Sequence, residues 1–262
     1  MPDSSLRKPG PVVTSWTELQ IPLCNTIEDR NSSDGKKWLS LTTYHNPAKT
    51  PGFRKAFFGR TIEFPETVWY ITAWESQAAL DVFERSEDYR LQREEHSQLS
   101  CTALKTHHCD IWSFFWNHLG EKIDVIDAFF PPTISKESKA NADQARGLVY
   151  HFAPGGSRPS AYTSRPTRGW VHGTRDFAGQ EAAVLRFMHF WKSDESEREF
   201  KASAGITVSP DSRYLTLYDH MMEQLKDAGL LGIKEFHCKL VELPNYYRDP
   251  SNYPPNEGGD DS

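Results

Sequence analysis

Four histidines of the second half, His151, His172, His189 and His237, stand in or beside runs of strand-forming residues. Histidine titrates nearest neutral pH, so one held in a cleft can act as general acid or base. His189 is the first candidate. It lies in Leu185-Arg-Phe-Met-His-Phe-Trp191, where strand alternation puts it on one face with Phe187 and Trp191. A hydrogen-bonded core histidine is the other role open to it. His151, between Tyr150 and Phe152, is a second catalytic candidate. Asp127 is the third: in Val125-Ile-Asp-Ala-Phe129 an inward carboxylate is costly unless paired. It is read as an acid, a base or the orienter of a histidine, against a solvent-facing or salt-bridged carboxylate near a strand end. Arg186, in mid-strand, can anchor an anionic group of a substrate or the far end of a salt bridge. With Arg186, the residues Tyr70, Trp74, Phe187, Trp191, His172 and His237 are candidate substrate contacts; Tyr70 and Trp74 would look the same as simple core.

No G-x-S-x-G, P-loop, H-E-x-x-H or G-x-G-x-x-G is present. His107-His108-Cys109 is the densest set of metal-binding types. Adjacent residues on a helix point about 100° apart and do not converge, so no metal is expected. The cysteines Cys24, Cys101, Cys109 and Cys238 make no C-x-x-C pair. They are read as reduced thiols, packed as small hydrophobes rather than used as nucleophiles.

The elements that must position these groups come twice. Val68-Trp-Tyr-Ile-Thr-Ala-Trp74 reads as a strand, followed by a helix over 77–85; Leu185–Trp191 reads as a strand followed by a helix over 194–202. Trp74, Ser76, Phe83 and Ser86 match Trp191, Ser193, Phe200 and Ser203 without a gap, at an offset of 191 − 74 = 117. The shared pattern is W-x-S-x6-F-x2-S. Its first Ser suits a helix N-cap, and its Phe, about two turns on, suits packing back on the sheet. Opening strands are predicted over 12–23 and 147–153, and closing strands over 123–130 and 233–243. A helix from Asp34 through His45 and a strand over 53–59 complete the first half. A helix over 211–228, opened by Ser209-Pro210-Asp211 and ended by Gly229, belongs to the second. In the second half the Gly- and Pro-rich stretch 155–168 leaves the first helix short or lost.

The expected organisation is a flexible arm (1–13), a first β-α-β-β-α-β repeat (14–132), a polar linker (133–145), a second repeat (146–243) and a flexible tail (244–262). The 30 Lys and Arg against 36 Asp and Glu give a net charge of −6, which disfavours nucleic acid as a partner. No 18-residue apolar run exists to span a membrane. Met1–Pro11 has no apolar core of a secretory signal, so a cytoplasmic location is expected.

Pro51-Gly-Phe-Arg-Lys-Ala-Phe-Phe-Gly-Arg60, Val68–Ser76 and Phe83-Glu-Arg-Ser-Glu-Asp-Tyr89 resemble the dimeric α/β-barrel superfamily, in its antibiotic-biosynthesis-monooxygenase-like branch and tandem-repeat fungal relatives. The resemblance implies an α+β fold of two ferredoxin-like repeats whose sheets pack into a barrel, within one chain or across a homodimer. It also implies a small-molecule pocket between sheet and helices. The expected function is that of a cofactor-independent enzyme of natural-product metabolism. It would cyclise, isomerise or rearrange a polyketide- or terpenoid-like substrate by acid/base catalysis in an aromatic pocket. A cofactor-free monooxygenase of phenolic substrates is one alternative. A non-catalytic ligand- or haem-binding stress protein is another. The second half, richer in strand histidines, is expected to hold the polar site.

Overall fold

The computed structural model describes residues 12–40, 50–111, 122–145, 161–163, 166–203 and 216–243. The first repeat runs β1 (Val12–Gln20), α1 (Ser33–Ser40), β2 (Phe53–Arg60), β3 (Thr67–Trp74), α2 (Gln77–Glu84), α3 (Glu87–Leu99) and β4 (Lys105–Ile111). The second runs β5 (Lys122–Phe130), α4 (Lys136–Gln144), β6 (Thr167–Trp170), β7 (Arg175–Phe177), β8 (Gln180–Trp191), α5 (Asp194–Ala202), α6 (Leu217–Asp227), β9 (Gly232–Cys238) and the short β10 (Val241–Glu242). Both are the ferredoxin-like α+β order.

Each repeat builds one antiparallel sheet, and β10 of the second repeat adds to the edge of the first. The first has the order β10-β2-β3-β1-β4, the second β6-β8-β5-β9 with β7 hairpinned onto β8. The sheets face each other and their edges meet. A bridge between Cys109 and Val171 joins β4 to the end of β6, and one between Thr61 and Cys238 joins β2 to β9. One chain therefore closes the barrel by itself. Trp16, Phe57 and Ile71 of the first sheet pack with Val125, Phe129 and Met188 of the second in a shared core. Outside, Leu185 and Phe187 pack on Leu217, Met221 and Leu225 of α6. Phe58 and Tyr70 pack on Trp38 of α1.

The duplicated motif has the same local structure twice. Ser76 Oγ accepts from the Ala79 amide at 3.2 Å and Ser193 Oγ from the Ser196 amide at 3.1 Å. Each satisfies an orphan donor at a helix start. Ser86 and Ser203 both donate to the carbonyl of the preceding Phe at 2.6 Å. Phe83 stacks on Trp74 at 4.9 Å, and Phe200 meets Trp191 at 5.7 Å.

The seams depend on two glycines in equivalent register: Gly59 lies opposite Trp69, and Gly169 opposite Arg186. A Cβ on Gly169 would stand 1.7 Å from the Asp110 carbonyl oxygen, and one on Gly59 2.2 Å from that of Lys239. Gly169→Ala must push the two sheet edges apart. It is expected to lower stability by about 1–3 kcal/mol, read from urea midpoints; an unchanged midpoint would contradict the tight seam.

Three sequence expectations need correction. The strand over 123–130 does not close the first sheet. β5 pairs with β8 and β9, so it opens the second repeat. The first sheet ends instead on β4, which places His107-His108-Cys109 on a strand and not on a helix. The supposed linker 133–145 contains α4, capped by Ser135. The described part of the helix before Gly229 begins at Leu217, capped by Thr216. The opening strand over 147–153, the 209–211 helix start and the tail lie outside the described residues. Among the described residues, no helix is long and apolar enough to cross a membrane.

Candidate functional site

On β8, Phe187, His189 and Trp191 form a ladder on the face turned to the helices. His189 lies 6.5 Å from Phe187 and 5.8 Å from Trp191, ring centre to ring centre. Tyr162 stacks on Trp191 at 4.3 Å and lies 6.4 Å from His189. The neighbouring strand supplies a carboxylate: Asp124 is opposite His189 in register, and its Oδ2 lies 3.5 Å from His189 Nδ1. Both side chains are 0 % exposed. The contact is at ion-pair distance; protonation of the imidazole at Nδ1, the atom facing the carboxylate, leaves the basic lone pair on Nε2.

α5 brings further charges to the same place. Lys201 Nζ lies 3.0 Å from Asp124 and 2.5 Å from Glu197, and also pairs with Glu235. Lys122 Nζ reaches Glu197 at 2.7 Å. His237 of β9, opposite Asp124 in register, holds Glu197 at 2.9 Å and Glu63 at 2.5 Å. Burial works to raise the Asp124 carboxyl, but bonding to His189 and the charges of His189 and Lys201 outweigh it and hold Asp124 below its ordinary value. The Glu197 hydrogen bond to His237 and that of Glu63 push the imidazole up to about 9 despite burial. Burial raises the Tyr162 phenol, and Asp124 and Glu197 raise it further. Donor atoms of Asp124, Glu197, Glu235 and His237 come within 4.8 Å of one another, close enough for a metal. The Lys201 ammonium already bridges three of these carboxylates, so the set is a cross-linked ionic cluster rather than a vacant chelate.

Asp127 and Arg186 lie on the opposite face of the same sheet, inside the barrel. Arg186 Nε and Nη2 each donate to Asp127 at 2.7 Å, and Nη1 donates to His107 Nε2 at 2.7 Å. Its guanidinium sits 4.2 Å over the Trp16 ring. Asp127 therefore does not orient His189; three residues beyond Asp124 on an alternating strand, it must face the other way. Of the two roles open to Arg186, the salt bridge is the one observed. Asp127, Arg186, His107 and His172 line a barrel cavity of about 650 Å³. His172 pairs with Asp110 at 3.0 Å and does not join the His189 site.

Tyr70 and Trp74 belong to the helix-covered face of the first sheet. Tyr70 accepts from Gln92 at 3.2 Å and meets His96 edge-on at 4.8 Å. Trp74 Nε1 donates to Thr72 at 2.9 Å. Neither approaches His189; they pack the core of the other repeat. His151 lies outside the described residues. The buried cysteines Cys109 and Cys238 are in the barrel core, where burial pushes the Cys109 thiol up to about 12.

The register identifies what distinguishes the repeats. In the first sheet Ser15 stands between Thr72 and His108; in the second Asp124 stands between His189 and His237. A neutral Ser–Thr pair in one repeat is an ionisable pair in the other. Trp74 has Thr72 as its acceptor, whereas the buried Trp191 indole N–H, beside His189, has no hydrogen-bond partner among the described residues. Asp124, Glu197, Lys201 and Glu235 escaped the sequence reading. Glu197 and Lys201 carry the one local signal, a helical i, i+4 ion pair.

Two histidines set opposite pH limbs for stability. Burial pulls His96 down to about 3, so its contribution is present above about pH 6.5 and is lost as pH falls below that. His237, raised to about 9, contributes fully below about pH 6.5, and this is lost as pH rises through 9. Each limb is expected to slope by about 1.4 kcal/mol per pH unit for one proton. His96→Phe should flatten the acid limb alone and His237→Gln the alkaline limb alone. Urea midpoints between pH 4 and 10 check this, and unchanged limbs would contradict it.

No family model and no curated protein matches the sequence. Solved structures do match in shape. A candidate monooxygenase from Lactobacillus acidophilus superposes with a TM-score of 0.53 at 9% identity, over 90% of this chain and 97% of that one. An anthrone oxidase-like protein gives 0.55 at 11% identity, over 88% and 91%. A candidate monooxygenase from Fusobacterium nucleatum gives 0.51 at 13% identity, over 88% and 93%. The chain thus has the dimeric α/β-barrel fold, with both repeats in one polypeptide.

Proposed function

We propose that the protein is a cofactor-independent small-molecule enzyme whose first chemical step is removal of a proton from an acidic C–H or O–H group by His189, oriented by Asp124. The observation that carries this reading is the fully buried His189–Asp124 pair at the register positions where the first repeat has Thr72 and Ser15. Two buried ionisable groups cost desolvation that a Ser–Thr pair does not, and such costly pairs gather at functional sites. Phe187, Trp191 and Tyr162 surround the imidazole with apolar rings, and the Trp191 indole N–H is a donor for a substrate oxygen.

A carbanion or enolate formed there can close a ring or rearrange, which gives cyclisation or isomerisation of a polyketide-like substrate without further reagents. Oxygenation of a phenolic ring is the second reading, favoured by the likeness to the candidate monooxygenases and the anthrone oxidase-like protein. Both readings share the deprotonation. Oxygen uptake separates them: a phenolic anthrone consumed with one O₂ per quinone formed supports the oxygenase, and turnover without uptake supports the cyclase. Anthrone turnover fully retained by His189→Gln would remove His189 from either.

A further inference from the structure

We propose that the barrel cavity on the other face of the second sheet is a binding site for a planar aromatic carboxylate, distinct from the His189 site. The cavity holds about 650 Å³, within the range of about 300–1,000 Å³ that encloses small organic ligands. Trp69 and Phe236 meet edge to face at 5.4 Å on its wall, and Phe129 lines it as well. Such surfaces accept a flat ring.

The charge around Asp127 gives the ligand its sign. Both carboxylate oxygens are held by Arg186 at 2.7 Å. Arg175 reaches the same carboxylate only at 3.3 Å. Lys234 is opposite Asp127 in register, yet its ammonium stands over the Phe129 ring at 5.6 Å. Arg175, Arg186 and Lys234 thus share the cavity lining with the carboxylates of Asp127 and Asp176, an excess of one positive charge. The rim adds a loose pair, Lys105 and Glu18, at 3.8 Å. Burial and the Arg186 charge pull the Arg175 guanidinium below its ordinary value, as expected for a cation without full compensation. A concave site with excess positive charge concentrates anions. A guanidinium presents two parallel donors to a carboxylate, so Arg175 is assigned the head group, Lys234 the second charge contact, and Trp69 with Phe236 the ring.

This inference does not depend on the proposed enzyme reaction. Its test is calorimetric titration of the full chain with 2-naphthoate as probe and 2-naphthamide as its uncharged counterpart. Saturable 2-naphthoate binding is expected, weakened roughly tenfold or more in Arg175→Gln and in Lys234→Gln. The amide should bind at least about tenfold more weakly than the acid. Both substitutions are on the cavity rim, and circular dichroism confirms that the variants are folded. His189→Gln should leave 2-naphthoate affinity unchanged, because His189 is on the opposite sheet face. Absence of 2-naphthoate binding overturns the proposal, as does equal binding of acid and amide. Affinity lost in His189→Gln but kept in both rim variants would place the ligand on the helix side and overturn it too.

Discussion

Asp127→Ala is expected to lower the stability of the folded chain by about 3–5 kcal/mol. Arg186 is 1 % exposed and directs two of its donors to Asp127. Without the carboxylate, a buried guanidinium keeps, among the described residues, His107 and the faces of Trp16 and Trp69. Arg175, already beside Arg186, loses its one carboxylate among the described contacts. The penalty comes chiefly from the stranded charge, not from the lost attraction. The double variant Asp127→Leu with Arg186→Met removes both charges at similar volume and should recover most of the loss. Equilibrium urea unfolding measures both. A single-variant loss below about 1 kcal/mol would show the barrel interior to be hydrated enough to solvate Arg186.

His189→Gln is expected to reduce turnover by about 10²–10⁴-fold, the usual contribution of a positioned general base. Glutamine keeps a donor for Asp124 but has no basic nitrogen, so folding should be less affected than catalysis. Asp124→Asn is a different experiment. It removes the orienter of His189 and one of the three carboxylates around Lys201, and should lower stability and turnover together. A His189 variant that loses stability but keeps turnover per folded molecule would reassign the imidazole to the core.

The parts of the fold visible in the sequence are those set by short-range contacts. W-x-S-x6-F-x2-S is a strand end, an N-cap, a helix and a Phe that returns to the Trp, all within a dozen residues, and both copies behave alike. β5 is buried on both faces; such a strand reads the same whichever sheet takes it, and its partners β8 and β9 are chosen by tertiary pairing. α4 passed for a linker because Ala142 is its one buried residue. β4 shows no apolar alternation in the sequence, because Lys105, Thr106, His107 and His108 line the barrel cavity. Of the site, His189, Phe187 and Trp191 on one face followed from alternation. The sequence offers Asp127 as an acid, a base, the orienter of a histidine or a salt-bridged carboxylate; it is salt-bridged, and Asp124 is the carboxylate beside His189. Strand alternation separates the two, but only packing tells which faces the helices. Lys201 and Glu197 meet Asp124 through the docking of α5, which no local pattern encodes.

Proton removal by His189 is tested before any later step by hydrogen–deuterium exchange. Under nitrogen in D₂O, the methylene protons of 1,8-dihydroxyanthrone are followed by proton NMR with wild-type protein and with His189→Gln. Exchange is expected to be accelerated by the wild type and slowed by about 10²-fold or more in the variant. Equal exchange rates in the two proteins, or no acceleration by the wild type, would contradict it.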